Sequence, residues 1–418
     1  MVELSVLFFP RSRLNLDLFT MNDSLKAVEL FAGIGGFRLA CDRLGIETVW
    51  ANDIDANAAK VYRKKSHLSN FVKGDIWQFL DEIPPHDLLT AGFPCQPFSS
   101  AGKKLGICDP RGTLFEAIVK ILKWRQPQYF VLENVKRLLS MQGGSHFAAI
   151  LDSLSRLGYL VEWRLLNAAN FCLPQNRERI VIVGTPNSSR IVSHLATSED
   201  FTGVSIEKSA ALANFSFWNP IESHTKKFKA WGMAKNGKFY DLDLSIFSEA
   251  QPLVKLAEIL EANPEASFDF TEDTLERLKS SVFVNKLING VRVLYNQKGG
   301  SRMGYTIYGI DGLAPTLTST TSRHYERYQV GDRYRRLTNI EYARIQGFPD
   351  DRCDCLSVYN QYSLYGNAFP PQMASWVIRK LIREESIDFS ETSQQLSFLL
   401  LRRYEPFREP IPELSRWN

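Results

Sequence analysis

The run Asp87-Leu88-Leu89-Thr90-Ala91-Gly92-Phe93-Pro94-Cys95-Gln96-Pro97-Phe98-Ser99-Ser100 decides how the chain is read. Its first half is a short apolar run, the pattern of a buried parallel strand, and Gly92 with Pro94 ends it. Cys95 is therefore expected just outside the carboxyl end of a strand, where open α/β sheets bind their ligands. Pro94 and Pro97 stiffen the backbone on either side and hold the sulfur in place. A lone cysteine among turn residues is commonly structural. Its neighbours along the chain argue for chemistry.

Upstream, Ala27-Val28-Glu29-Leu30-Phe31 reads as a buried strand, followed by Ala32-Gly33-Ile34-Gly35-Gly36 and a helical pattern from Phe37 to Leu44. A glycine-rich turn from strand to helix lets a cofactor approach the backbone, although the spacing is not the dinucleotide fingerprint G-x-G-x-x-G. The strand Thr48–Ala51 ends in Asn52-Asp53-Ile54-Asp55, and the strand Phe71–Lys73 ends in Gly74-Asp75-Ile76. Downstream, a helix over Thr113–Trp124 precedes the strand Tyr129–Leu132, which ends in Glu133-Asn134-Val135. Strands at Leu160–Leu166 and Ile180–Gly184 follow, the second introduced by Gln175-Asn176-Arg177-Glu178-Arg179. This alternation predicts an α/β fold, a doubly wound, Rossmann-like and mostly parallel sheet. Glu29, Asp53, Asp75, Cys95 and Glu133 then gather on one rim.

The chain has 418 residues, 44% hydrophobic and 23% charged, the balance of an ordinary globular protein of two or three domains. A net charge of only +4 means that any nucleic-acid surface must come from local clustering. The six cysteines are scattered apart from Cys353-Asp354-Cys355, a spacing that fits neither a zinc site nor a disulfide framework, so no metal is expected and a reducing, cytoplasmic setting is. No apolar run is long enough to span a membrane. Residues 1–25 read as an N-terminal extension, with Met21 an alternative start, and 26–185 as the catalytic and cofactor-binding domain. Periodicity weakens over 186–332, which reads as a second, smaller irregular domain. Regular structure returns over 333–385, ending in an amphipathic helix opened by Pro371, and 386–418 reads as a tail.

With these pieces assembled, the chain resembles the C5-cytosine-specific DNA methyltransferases of bacterial modification systems. The resemblance rests on Phe31-Ala32-Gly33-Ile34-Gly35-Gly36, Gly92-Phe93-Pro94-Cys95-Gln96-Pro97-Phe98-Ser99, Glu133-Asn134-Val135, Gln175-x-Arg177-x-Arg179, Arg336-Leu337-Thr338 through Gln346-Gly347-Phe348-Pro349, and Gly366-Asn367. These occur in the family's order from about residue 26 to 385. One departure is Gly366-Asn367-Ala368-Phe369, where Ser-Val or Ala-Val is commoner after the asparagine.

The resemblance implies S-adenosylmethionine as cofactor and double-stranded DNA as partner; a monomeric enzyme is expected, either paired with a restriction endonuclease acting on the same sequence or an orphan modification enzyme. It makes Cys95 the nucleophile, places Glu133 at N3 and the amino group of a flipped cytosine, and Arg179 at O2 with Arg177 in support. It assigns Asp53 to the donor's ribose and Asp75, with Ile76, to the adenine edge. Phe31 and Ile54 would contact the adenine, and Gly33, Ile34, Gly35, Gly36, Pro94, Leu114 and Asn367 the rest of the donor. The segment 186–332 falls where the family keeps its target-recognition domain, which Thr316-Leu317 would close. Ser99, Thr316, Leu317 and the basic, tyrosine-interleaved Arg323, Arg335 and Arg336 would contact DNA.

The chemistry requires such groups. C5 of cytosine is a poor nucleophile until a thiolate adds at C6, so one hard step is split into easier ones, and charge developing on the ring must meet donors. Three other readings compete. A nicotinamide oxidoreductase is disfavoured by the glycine spacing, a silent DNA-binding relative by the presence of both Cys95 and Glu133. A tRNA cytosine methyltransferase shares the chemistry and is disfavoured by the long recognition segment.

Overall fold

Short apolar runs bounded by glycine, proline and asparagine become strands, and amphipathic runs become the helices that cover them. The computed structural model describes residues 25–66, 70–94, 113–186, 190–202, 204–244, 254–279, 281–296, 306–318, 326–382 and 386–389. The first half runs β1 (Lys26–Leu30), α1 (Gly36–Leu44), β2 (Glu47–Asp53), α2 (Ala56–Ser66), β3 (Phe71–Lys73), β4 (Leu88–Gly92), α3 (Thr113–Arg125) and β5 (Tyr129–Val135). Next come α4 (Ser145–Arg156), β6 (Tyr159–Asn167), β7 (Glu178–Pro186), β8 (Val192–Ser193), α5 (Ile206–Ala213), β9 (Asn219–Pro220), β10 (Trp231–Lys235) and β11 (Lys238–Leu242). The remainder is α6 (Glu272–Lys279), β12 (Val282–Ile288), β13 (Val291–Asn296), β14 (Thr306–Tyr308), β15 (Arg327–Val330), β16 (Arg333–Arg335), α7 (Asn339–Ile345), α8 (Val358–Asn367), α9 (Pro371–Ile382) and β17 (Ile387–Asp388).

One large sheet has the order β3-β2-β1-β4-β5-β7-β6-β10-β11-β9. From β3 to β5 every pairing is parallel, as the alternation of strands and helices requires. β7 runs antiparallel to both β5 and β6. The physical reason lies in the connection: β6 and β7 are joined by a short 3₁₀ turn, whereas a parallel return needs a crossover helix. The two faces of the sheet carry separate cores. Val28, Leu30, Leu89, Phe130 and Leu132 pack under Phe115, Ile118, Ile121 and Leu122 of α3 and Phe147, Ile150 and Leu151 of α4. Ala27, Leu88, Val131, Val181 and Val183 pack under Phe37, Ala40 and Cys41 of α1 and Met373, Val377 and Leu381 of α9. The last long helix therefore lies beside the first, and Phe37 meets Phe369 with ring centroids 5.2 Å apart.

The edge of the large sheet does not fall at residue 186. β10 pairs with β6, and β11 and β9 follow, so residues 219–242 extend the sheet that carries the rim. The preceding loop is fastened by buried polar groups. Glu162 accepts from Ser193 Oγ at 2.6 Å, the His194 backbone N–H at 2.8 Å and Trp231 Nε1 at 2.7 Å, and Arg164 pairs with Asp200 at 2.6 Å. A separate five-stranded sheet has the order β12-β13-β14-β15-β16 and shares a core with α7 and α8. Two hairpins turn on Asn-Gly pairs with both residues left-handed: Asn236-Gly237 at φ 48° and 72°, and Asn289-Gly290 at 48° and 78°. β17, at the start of the expected tail, pairs with β8. Residues 1–24 of the expected extension 1–25 and residues 390–418 lie outside the described residues. Among the described residues, no helix is long and apolar enough to cross a membrane and no cluster of metal-ligating side chains occurs.

Gly184 is where the reversal of β7 is most tightly packed. It faces Phe130 across the pairing, and a Cβ there would sit 1.9 Å from Phe130 Cε1. Gly184→Ala should therefore destabilise the fold by about 1–3 kcal/mol, the usual cost of overpacking a close-packed core. Urea unfolding checks this, and an unchanged midpoint would mean that Phe130 moves aside freely.

Candidate active site

The site is built by strand register. Glu29 is paired with Ala51 and with Thr90, and Thr90 with Val131. Side chains alternate along a strand, so Asp53, Gly92 and Glu133, each two residues further on, share that face at the carboxyl ends. β7 enters from the opposite direction with Arg179 opposite Val135 and Val181 opposite Glu133. Arg179 is thus the diagonal neighbour of Glu133 on the same face. Their side chains meet at 2.8 Å, Nε to Oε1, and both are largely buried. Burial pushes the Glu133 carboxyl up from the ordinary carboxylate range, and the Arg179 and Arg177 charges oppose that shift without cancelling it.

Gly92 faces Glu133 across the parallel pairing, and a Cβ at Gly92 would stand 3.3 Å from Glu133 Oε2. Asn134 Nδ2 donates to the Phe93 carbonyl at 2.9 Å, which fixes the chain just before Cys95. Cys95, Ser99 and Arg323 themselves lie outside the described residues.

A cavity of about 550 Å³ opens at these strand ends. Of the expected site residues, Phe31, Gly33, Ile34, Gly36, Asp53, Ile54, Pro94, Leu114, Glu133, Arg177, Arg179 and Asn367 all line it. Asp53 accepts from the Gly33 backbone N–H at 2.7 Å and the Asp55 backbone N–H at 2.8 Å, so it braces the glycine turn while facing the cavity. Ile54 holds an apolar side chain 69% exposed at the edge, where a flat ring would cover it. Gly36 admits the C-terminal segment: a Cβ there would lie 2.2 Å from the Phe369 carbonyl oxygen.

Other expected residues stand elsewhere. Ile76 is 1% exposed in the core under α3, so its side chain is packing, not lining. Asp75 is exposed and caps the following 3₁₀ turn by accepting from the Trp77 backbone N–H. Gly35 lies behind the lining, at φ 80°, as the N-cap of α1. Arg177 is 1% exposed and donates to the carbonyls of Leu317 at 3.0 Å, Gly366 at 2.9 Å and Ala368 at 3.0 Å, which ties three distant segments together beside Glu133.

The expected DNA contacts need correction. Arg335 is 1% exposed and gives both guanidinium nitrogens to Glu341 at 2.8 and 2.7 Å, so it is not presented to a phosphate. Leu317 is also 1% exposed; its backbone accepts from Arg177 and donates to Gln175 Oε1. Thr316 donates to the Asn176 carbonyl at 2.6 Å. Arg336 is half-buried with its guanidinium over the Phe268 ring. A basic run in sequence gave no signal that Arg335 turns inward to cap a buried acid.

Two residues of the site, one of them Glu29 already expected on the rim, had been given no role. Asn134 sits in a motif already quoted, between Glu133 and Val135. Glu29 lines the cavity, fully buried, and accepts from Tyr62 OH at 2.6 Å. Its burial pushes the carboxyl up to about 7.

This geometry agrees with the comparisons. The chain belongs to the C-5 cytosine-specific DNA methylase family, whose model matches residues 25–383. It is 35% identical over 328 residues to the Type II methyltransferase M.NgoBI of Neisseria gonorrhoeae, covering 78% of this chain and 83% of that protein. It is 32% identical over 356 residues to the Type II methyltransferase M1.ScrFI of Lactococcus lactis subsp. cremoris, covering 82% and 74%. The DNMT2 structure from Spodoptera frugiperda superposes with a TM-score of 0.57 at 19% identity, covering 86% of this chain and all of that one, and shares the fold. S-adenosylmethionine is the methyl donor of this family. The site fits it: apolar side chains at Phe31 and Ile54, a carboxylate at Asp53, and a backbone turn whose Gly33 would have open space around a Cβ.

The raised pKa of Glu29 has a stability consequence. The folded state holds its proton more tightly than the unfolded chain, so the group favours folding at low pH. That contribution is lost as pH rises from the unfolded value of 4.5 to the folded value of about 7. Glu29→Gln should remove this slope and stabilise the protein above pH 7 by on the order of 3 kcal/mol. Urea unfolding at pH 5 and pH 8 measures it; equal slopes in both proteins would show that Glu29 does not hold the proton.

Proposed function

We propose that the protein transfers the methyl group of S-adenosylmethionine to C5 of a flipped-out cytosine in a specific sequence of double-stranded DNA, with Cys95 as covalent nucleophile. The observation that carries this reading is the Glu133–Arg179 pair at the cavity wall, beside the Gly92-Phe93-Pro94 lead-in to Cys95. A target base inside a duplex is inaccessible, so it leaves the stack to reach this pocket.

Cys95 thiolate adds to C6, forming the C–S bond and moving the C5=C6 electron pair toward C5 and the ring. Glu133, whose burial favours the protonated carboxyl, donates to N3 as negative charge develops there. Arg179 meets O2 and, donating through Nε to Glu133 Oε1, holds the carboxyl with its other oxygen toward the base. Arg177, fixed by three carbonyls, holds the floor on which both stand. The bound S-adenosylmethionine supplies an electrophilic methyl group for C5. Loss of the C5 proton to a base then returns the electron pair, breaks the C–S bond and frees Cys95.

Recognition of the target sequence is assigned to the part of the 186–332 segment that lies beyond β11, with β12–β15 as its folded centre. Base edges are read by side chains entering a groove, and the rim residues are occupied by the flipped base and the donor. The named relatives are Type II methyltransferases. This supports a cognate restriction endonuclease acting on the same sequence; we further expect a monomeric enzyme that works on DNA in the cytoplasm.

The test uses duplex DNA fragments carrying 5-fluorocytosine, incubated with protein and S-adenosylmethionine. A denaturation-resistant protein–DNA adduct should form, because fluorine at C5 cannot leave as a proton, and Cys95→Ser should form none. An adduct that persisted in Cys95→Ser would remove Cys95 as nucleophile, and trapping on tRNA in place of DNA would move the substrate class.

A further inference from the structure

The glycine turn that faces the methyl donor is held from behind by a residue more than three hundred positions away. Arg352 is 3% exposed and donates through Nε to the Ile34 carbonyl at 2.8 Å, with Nη2 on the same oxygen. Gly35 makes room for it: a Cβ there would stand 2.6 Å from Arg352 Nη2, and Gly35 sits at φ 80°, where other residues are strained. Arg352 does not itself line the cavity, whereas Ile34, Gly33 and Glu29 do.

The segment carrying Arg352 is anchored independently. Its backbone N–H donates to the Pro349 carbonyl at 3.0 Å, closing a tight turn. On either side, Asp351 takes Lys65 at 2.7 Å, and Asp354 takes Lys64 at 3.1 Å and Lys65 at 3.3 Å. These exposed pairs contribute little energy singly, but together they fix where the guanidinium enters. The buried carboxyl of Glu29 is the anionic group that acts on it most strongly.

We propose that Arg352 is a positioning residue for S-adenosylmethionine, turning the Ile34 carbonyl off the cavity so that the Gly33–Gly36 backbone presents its open side to the donor. The electrostatics favour this arrangement. A carbonyl oxygen left pointing into the cavity would repel the donor's carboxylate, and a guanidinium is the side chain able to give one oxygen two charge-assisted hydrogen bonds. Without it the turn must satisfy a buried carbonyl some other way, and the donor must reorganise the turn each time it binds.

The inference rests on the proposed donor site, and calorimetry separates the two. Wild-type protein titrated with S-adenosylmethionine should bind one equivalent; failure there removes the donor site itself. Arg352→Met should weaken the dissociation constant roughly ten- to a hundredfold, the loss expected for a charged buried hydrogen bond. The stoichiometry should stay at one, and kcat at saturating donor should stay within about twofold while KM for the donor rises. Damage confined to folding would instead lower the stoichiometry and leave the dissociation constant of the remaining protein native, which overturns the proposal. Native affinity at full stoichiometry overturns it as well. If Arg352→Met does not yield folded protein, Arg352→Lys decides, since it keeps the charge but loses the paired donors. Weakened donor binding with unchanged affinity for duplex DNA supports positioning, and native donor binding contradicts it.

Discussion

Everything at the site depends on the direction of one strand. Because β7 runs against β5, its first residues arrive at the end of the sheet where β5 finishes, and Arg179 lands diagonally across from Glu133. A parallel β7 would place its first residues at the far edge, a strand length away. The ion pair that results is not an obvious source of stability, since desolvating two charges costs about as much as their attraction returns. Its value is positional. It holds an acid and a cation on one face, in a wall of low dielectric, where a planar polar ring can be met along an edge.

The second constraint is closure of the cavity by the far end of the chain. Gly36 lets the Phe369 backbone approach, α9 lies against α1, and Arg177 binds the carbonyls of Gly366 and Ala368. Arg352 adds a contact from the loop after α7. The cavity is therefore lined by residues from both ends of the sequence. The zipper of Gln175-Asn176 against Ala314 through Leu317 shows how the segment between them is fastened: Asn176 N–H to the Ala314 carbonyl at 2.9 Å, Leu317 N–H to Gln175 Oε1 at 3.0 Å. A motif residue such as Arg177 thus ties segments together while lining the cavity.

Much of this was legible beforehand because strand ends announce themselves. Apolar runs that gave way to polar or turn residues located Asp53, Gly92 and Glu133, and period-two alternation then put them on one face. The sense of β7 was not legible from its own residues, since a strand's sequence does not state its direction; only the short link after β6 carries that information. The hairpin of β10 and β11 did carry a signal, Asn236-Gly237, but the mix of Gly, Lys, Asn and aromatic residues around it over 224–240 read as irregular. Arg335 misled because an arginine that caps a buried glutamate looks, in sequence, like one that faces solvent. Arg352 had no pattern at all. Its role comes from a three-dimensional coincidence with Gly35, whose missing side chain reads as cofactor access from sequence and proves to be space for a guanidinium.

The central claim is that this rim methylates C5 of cytosine in DNA at one sequence. Bisulfite sequencing of total DNA, from cells that lack C5 methylation of their own and express the protein, tests it most directly. The account predicts cytosines resistant to conversion at one position of a single short sequence wherever it occurs, and none in cells expressing Cys95→Ser. Full conversion of the DNA, with protected cytosines found in tRNA from the same cells, would contradict it.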